Sequence, residues 1–216
     1  MSETRFYRHY KNKPYKYLGL VRHSESLEEL VLYETLYENP NGRIWVRPKE
    51  MFFEKIEKNH ELIDRFKPVV FRLTESEFID QPQKKLIQDL AIKVLGNLDL
   101  EKFNRKLAQF SPVHALIAYY LAEPVAFKIG YAINDQTFYS WYGGVLPQYR
   151  ELGLGSMLLQ KQHDWCQHKK FEKIQAKTTN SKIQMIQLNL KSGLQIVGTE
   201  HRPNGEIKIL FEKILS

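Results

Sequence analysis

The sequence predicts a mixed α+β protein in two parts, a small β-rich N-terminal module followed by a larger domain built on a mixed central sheet. Three observations carry that expectation. Residues 1–60 break into short aromatic and β-branched runs separated by turn residues. From Pro68 onward, strand-like alternation and helix-like spacing follow one another in the order β-α-α-β-β-β-α-β-α-β-β. The composition, 43% hydrophobic and 26% charged over 216 residues, is ordinary globular usage. It excludes a wholly disordered chain and suffices for one mid-sized domain with an appendage.

In the module, 15–22 and 30–36 read as strands. Asn39-Pro40-Asn41-Gly42 signals a hairpin, because Asn and Gly accept the positive φ such a turn needs. Residues 43–47 alternate around Ile44 and Trp45 until Pro48 ends pairing. The charge-rich stretch 55–65 reads as a linker helix. The expected division is therefore 1–60 for the module, 61–67 for a linker and 68–216 for the second domain. There, 69–73 is a strand candidate. Asp80 and Pro82 open a helix with Leu86, Ile87, Leu90, Val94 and Leu95 at helical spacing, stopped by Gly96. Asp99 caps a second helix bearing Leu100, Phe103, Leu107 and Phe110. Strands are expected over 115–121, 125–133 and 137–145, the middle one alternating cleanly. A helix over 155–167, a strand over 173–178 and a helix over 183–191 follow. Strands at 195–199 and 207–211, joined by a turn at Pro203-Asn204-Gly205, complete the pattern.

Composition also narrows the chemistry. One cysteine, Cys166, excludes a disulfide framework and an all-cysteine metal site, and suits a reducing compartment. No run approaches the ~20 apolar residues of a membrane helix. The opening segment has no apolar core of the signal-peptide kind, so a cytoplasmic location without a membrane partner is expected. The formal charge of +7 is spread as mixed signs. It reads as a solvated surface, or as a basic face for a polyanion such as RNA or a phosphate-rich cofactor.

The informative stretch is 143–156, GGVLPQYRELGLGS. A strand runs into a short loop with glycines two apart, and a helix begins. Unpaired N–H groups and the positive dipole end let such a turn hold a phosphate, and Gly153 and Gly155 allow close approach. By itself the pattern fits glycines that merely tighten a β-to-α turn equally well. It is neither the P-loop, which needs a following Lys-Ser/Thr pair, nor the dinucleotide fingerprint.

Arg-x-x-Gly-x-Gly at 150–155, preceded by Val145-x-Pro147-x-Tyr149, resembles the acyl-CoA signature of the GNAT superfamily of N-acetyltransferases. Thr178-Thr179-Asn180, then Met185, Asn189 and Gly193-Leu194, resembles that superfamily's later segment, with Leu194 where Phe is usual. The resemblance spans about two-thirds of the chain. It implies a splayed mixed sheet opening between the strands at 137–145 and 173–178, with acetyl-CoA (CoA) as cofactor. Main-chain groups of Gly143 and Val145 would pair with the pantetheine arm, and one N–H would polarise the acetyl carbonyl. Amides of Arg150, Glu151, Leu152, Gly153, Leu154, Gly155 and Ser156 would cradle the pyrophosphate, and Asn189 would reach the cofactor. The implied reaction is direct attack of a primary amine, on a small-molecule or peptide acceptor, at the thioester. Many members carry a Glu on the fourth strand and a Tyr on the later helix; here neither stands. Ser140 and Tyr142 are the candidates for a catalytic proton relay, and the base is unassigned. Tyr139, Trp141 and Tyr142 otherwise read as sheet packing or a wall of the acceptor pocket. Homodimers are common in this superfamily.

The missing carboxylate and the basic excess support an alternative, a non-catalytic CoA-sensing or RNA- or protein-binding protein on the same fold. No metal site is expected: His163, Cys166 and His168 do not share one helix face. Cys166 lies past a helix middle, away from the electropositive start that activates a thiol, and His114 reads as a packed or surface side chain. In the module, 5–57 resembles a short bacterial domain family of unknown function, through Tyr7-Arg8-His9-Tyr10-Lys11, Tyr17-Leu18-Gly19, Arg22-His23-Ser24-Glu25 and Trp45-Val46-Arg47-Pro48. The cluster at 22–25 reads as a binding loop or as a hydrogen-bonded turn.

Overall fold

The computed structural model describes residues 6–215, and the chain divides between Phe71 and Arg72 into two compact units. The first contains β1 (Phe6–His9), β2 (Pro14–Arg22), β3 (Glu29–Thr35), β4 (Ile44–Pro48), a short helix α1 (Lys49–Phe53), β5 (Lys55–Lys58), β6 (Glu61–Asp64) and β7 (Phe66–Pro68). Five strands form an antiparallel sheet in the order β4-β3-β2-β1-β7. Alternation along β3 turns Val31, Tyr33 and Thr35 inward. Val31 and Tyr33 meet Tyr15, Phe52 and Phe66, and the last two rings stack at 4.1 Å.

Two expectations change here. Residues 55–65 form a hairpin instead of a linker helix. Asn59 and His60 both hold positive φ, 53° and 64°, as a two-residue hairpin turn requires. The register sets Lys58 against Glu61 and Lys55 against Asp64, so the charge alternation pairs across strands. The expected linker at 61–67 is likewise strand: β6 completes that hairpin and β7 pairs with β1. The 22–25 cluster is a turn, in which His23 Nδ1 accepts from the N–H groups of Glu25 and Ser26 at 3.2 Å.

The second unit runs β8 (Phe71–Ser76), α2 (Gln81–Leu95), α3 (Leu100–Gln109), β9 (Val113–Tyr120), β10 (Glu123–Ala132), β11 (Thr137–Val145), α4 (Leu154–His168), β12 (Lys173–Thr179), α5 (Ile183–Lys191), β13 (Gln195–His201) and β14 (Ile207–Ile214). This is the expected order. The caps are as read: Asp80 accepts from Gln83 N–H at 2.8 Å and Asp99 from Lys102 N–H at 2.9 Å. Seven strands form one sheet, β13-β14-β12-β11-β10-β9-β8, in which β11 and β12 are the parallel pair. α2 and α4 both pack on β10 and β11. Side chains on β11 alternate between them, Phe138 and Ser140 meeting α4 while Gly144 lies against Val94 of α2. That sandwiching buries β10 from Val125 to Ala132 on both faces. No helix among the described residues is long and apolar enough to cross a membrane.

Candidate active site

The sheet opens between β11 and β12. These strands pair only at Thr137–Lys173, Phe138–Ile174 and Tyr139–Gln175. Beyond that point β12 stays with β14 as far as Thr179–Lys208, and β11 with β10 as far as Val145–Ala126. A bulge leaves Trp141 unmatched, since Gly130 faces Ser140 while Ile129 faces Tyr142. Leu146 N–H donates to Val125 O at 2.9 Å. Main-chain groups alternate sides along a strand, so Tyr142 and Gly144 also turn toward β10. Gly143 and Val145 therefore present their main-chain groups to the opening, where Arg150 Nε donates to Val145 O at 3.3 Å.

The loop after β11 is fixed by its buried residues. Tyr149 closes a single 3-10 turn from Pro147 and donates its hydroxyl to Glu123 Oε2 at 2.8 Å. Leu152 and Leu154 are buried. Between them, Gly153 has φ 72° and is the N-cap of α4, with no side-chain cap bond. Its carbonyl accepts Met157 N–H at 3.0 Å. The N–H groups of Leu154, Gly155 and Ser156 thus have no helical acceptor, at the positive end of the helix dipole. Gly155 admits α5 closely: a Cβ there would meet Leu188 at 3.2 Å. Next to Leu188, Asn189 is buried. The structure thereby brings together 143–145, 150–156 and 188–189.

It does not bring together Ser140 and Tyr142. Ser140 is on the α4 face, 2% exposed, and its hydroxyl donates to Gln162 Oε1 at 2.7 Å. Tyr142 is on the other face, stacked on Trp141 at 4.3 Å and on Phe103 of α3. Burial, then the Asp99 charge, raises its hydroxyl pKa. A relay joining the two would have to cross the sheet, so the expectation that Ser140 and Tyr142 act together in one proton relay is corrected. Of the α4 trio, His163 and Cys166 are buried and His168 is exposed. Burial pushes the Cys166 thiol up to about 12 and, with Lys213 and Lys128, holds His163 down at about 4. His114 is a packed residue, its Nε2 2.8 Å from Glu75 and its ring 4.2 Å from Trp165.

Sequence reasoning passed over Lys128. It lies within the buried run of β10, 9% exposed, and its side chain crosses Gly143: a Cβ at Gly143 would stand 2.8 Å from Lys128 Cδ and 3.6 Å from Nζ. The available signal was a lone charge in the otherwise apolar segment 125–133.

A family model described as "Protein of unknown function (DUF1653)" matches residues 5–68. No curated protein matches the chain. The fold of the second unit is similar to the ribosomal-protein-S18-alanine N-acetyltransferase of Escherichia coli, at TM-score 0.58 and 16% identity over 67% of this chain and 95% of that one. It is also similar to a Bacillus subtilis acetyltransferase in complex with CoA, at TM-score 0.56 and 17% identity over 68% and 100%. A GNAT family acetyltransferase from Elizabethkingia anophelis with acetyl-CoA bound gives TM-score 0.52 and 17% identity over 67% and 97%. A second family model, the acetyltransferase (GNAT) family, covers residues 84–193, half of the chain and all of the opening between β11 and β12, and the chain belongs to that family.

Proposed function

We propose that this chain is an acetyl-CoA-dependent N-acetyltransferase that moves an acetyl group to a primary amine of a small-molecule or peptide acceptor. The observation that supports it most is the meeting of two features at one opening: the edge of β11 at Gly143 and Val145, which no strand covers and where Arg150 Nε reaches Val145 O, and the start of α4 at Gly153, which no side chain caps. A diphosphate suits N–H groups without acceptors at a helix start. The amides of a pantetheine arm suit a strand edge from which the next strand has departed. The residues therefore fit the cofactor. In this reading Gly143 and Val145 hold the arm by main-chain bonds. Arg150, Glu151, Leu152, Gly153, Leu154, Gly155 and Ser156 hold the diphosphate by their amides, the Arg150 guanidinium adds charge, and Asn189 reaches in from α5.

Acetyl-CoA supplies an acyl carbon activated by its bond to sulfur. The chain supplies position and charge. An N–H on the β11 edge takes up negative charge that grows on the acyl oxygen, and a common frame for amine and acyl group removes the entropy cost of their encounter. Phe103, Trp141 and Tyr142 stack on the face away from α4, beside Tyr131 and Tyr139, and wall the acceptor pocket. Strand β11 carries no carboxylate, so the base that takes the amine's proton is a water or a group outside this strand.

Titration with acetyl-CoA followed by melting tests the reading. A hundredfold excess over the dissociation constant should stabilise the fold by about 2.7 kcal/mol. Labelled acetyl-CoA with a panel of amines and peptides should then give turnover. No melting shift at millimolar acetyl-CoA would overturn the proposal, and a shift without turnover on any acceptor would favour a cofactor-binding protein that does no chemistry.

A further inference from the structure

Beside the opening between β11 and β12, on the α4 face, the buried side chains of Gln162, His163 and Lys128 offer hydrogen-bond donors that no acceptor among the described residues takes. Gln162, 0% exposed, accepts the Ser140 hydroxyl on its Oε1, and its Nε2 has no partner. His163, equally buried, receives Lys213 Nζ on Nδ1 at 3.3 Å, so its proton sits on Nε2, which has no partner either. Lys128 lies across Gly143 and makes no hydrogen bond or ion pair among the described residues, and its Nζ, unlike those two nitrogens, is not fully sealed. Buried donors are normally satisfied, so a donor-only set suits a guest that brings acceptors or negative charge.

The titratable groups that couple to Lys128 are His163 and Cys166 on α4 and His114 on β9, and no carboxylate is among them. Burial brings Lys128 down to about 8, while His163 stays near 4 and Cys166 near 12. Of these three, Lys128 is the one that carries a proton at neutral pH and also releases it near that range. Breaking a thioester leaves a thiolate that needs a proton. Gly143, whose main chain borders the opening, lies under the Lys128 side chain. The face is that of α4, whose N-terminus is the diphosphate cradle, whereas the aromatic acceptor wall is opposite. A donor here stands on the side of the sheet that α4 covers, apart from the aromatic stack of Phe103, Trp141 and Tyr142.

We propose that Lys128 is the acid that protonates the cofactor's sulfur during acyl transfer, an inference that rests on the acetyl-CoA reading above. The amine nitrogen bonds to the acyl carbon, and the carbon–sulfur bond breaks with its electron pair going to sulfur. The sulfur takes the Lys128 proton, the amine's surplus proton passes to water, and water recharges Lys128.

The test uses the full-length protein saturated with CoA, following the ultraviolet thiolate band as pH rises, with the desulfo-CoA complex as blank. The bound thiol should ionise at lower pH than free CoA, because the ammonium stabilises the thiolate. Lys128→Met should return that titration to the free-CoA range, keep the CoA-induced melting shift, and lower turnover about a hundredfold. Lys128→Arg should retain the early thiolate but lose turnover, since a guanidinium does not release its proton. If Lys128→Met binds CoA and its thiolate titration matches wild type, the assignment of Lys128 is overturned and the acetyl-CoA reading stands. If wild type shows no CoA-induced shift, both are overturned.

Discussion

At the scale of single residues, Lys128 places an amine inside a strand covered on both faces, and the consequence for stability has a definite sign. Its pKa falls from 10.5 to about 8 on burial, so the folded chain holds this proton less tightly than the unfolded chain does. The destabilisation is present in full below pH 8. Stability then rises as pH climbs from about 8 toward 10.5, where only the unfolded chain still binds the proton. Lys128→Met should raise stability at pH 7 by up to about 3 kcal/mol and remove that rise, as urea unfolding across a pH series would show. A variant that is less stable than wild type would mean the ammonium has a partner in solution. Gly153 gives a second test. With φ 72° at the start of α4, Gly153→Glu puts a carboxylate where the diphosphate is proposed to lie and should abolish the acetyl-CoA melting shift. Gly153→Ala should keep the shift while losing about 1–2 kcal/mol of stability to the left-handed backbone. A shift that survives in a folded Gly153→Glu would place the cofactor elsewhere.

At the scale of elements, α2 and the opening strand are held in register by the bare backbone of β11. A Cβ on Gly144 would run into Val94 Cγ1 of α2, and the neighbouring Gly143 carries the Lys128 side chain on the opposite face. Gly144→Ala should cost about 1–3 kcal/mol by overpacking. Val94→Ala in the same chain should return much of it, because the two positions share one contact and their effects do not add. Thermal unfolding of the two single variants and the double variant checks this, and simple additivity would mean the clash is relieved elsewhere. The bulge at Trp141 acts at the same scale. By inserting one residue it reverses which main-chain groups face outward, turning those of Gly143 and Val145 to the opening. An alternating apolar pattern does not reveal such an insertion, since Trp141 and Tyr142 read as ordinary strand residues.

At the scale of the whole molecule, two compact units share one chain, and every residue proposed to hold acetyl-CoA lies in the second. Binding energy should therefore appear as slowed amide exchange in β11, the 150–156 loop, α4 and α5. Exchange in residues 6–68 should be unchanged. Protection that spreads into the first unit would mean the two open as one cooperative body. The division itself shows where local reading stops. The charges of 55–65 suit a solvated helix as well as a hairpin, and the pairing of Lys55 with Asp64, with β7 added against β1, decided for strand.

Much was legible in the residues themselves. Asp80 and Asp99 announced two helix starts, and the glycines at 153 and 155 announced a strand-to-helix turn suited to an anion. The observed bounds of β11 and α5, Thr137–Val145 and Ile183–Lys191, are those expected from the residues. Caps, turns and periodicity depend on neighbours within a few positions, so the chain encodes them locally. Only the tertiary structure parted Ser140 from Tyr142 across the sheet and set Lys128, Gln162 and His163 on one face beside the opening. Those relations join residues far apart in the chain, and they depend on strand order, on a bulge and on which helix covers which face.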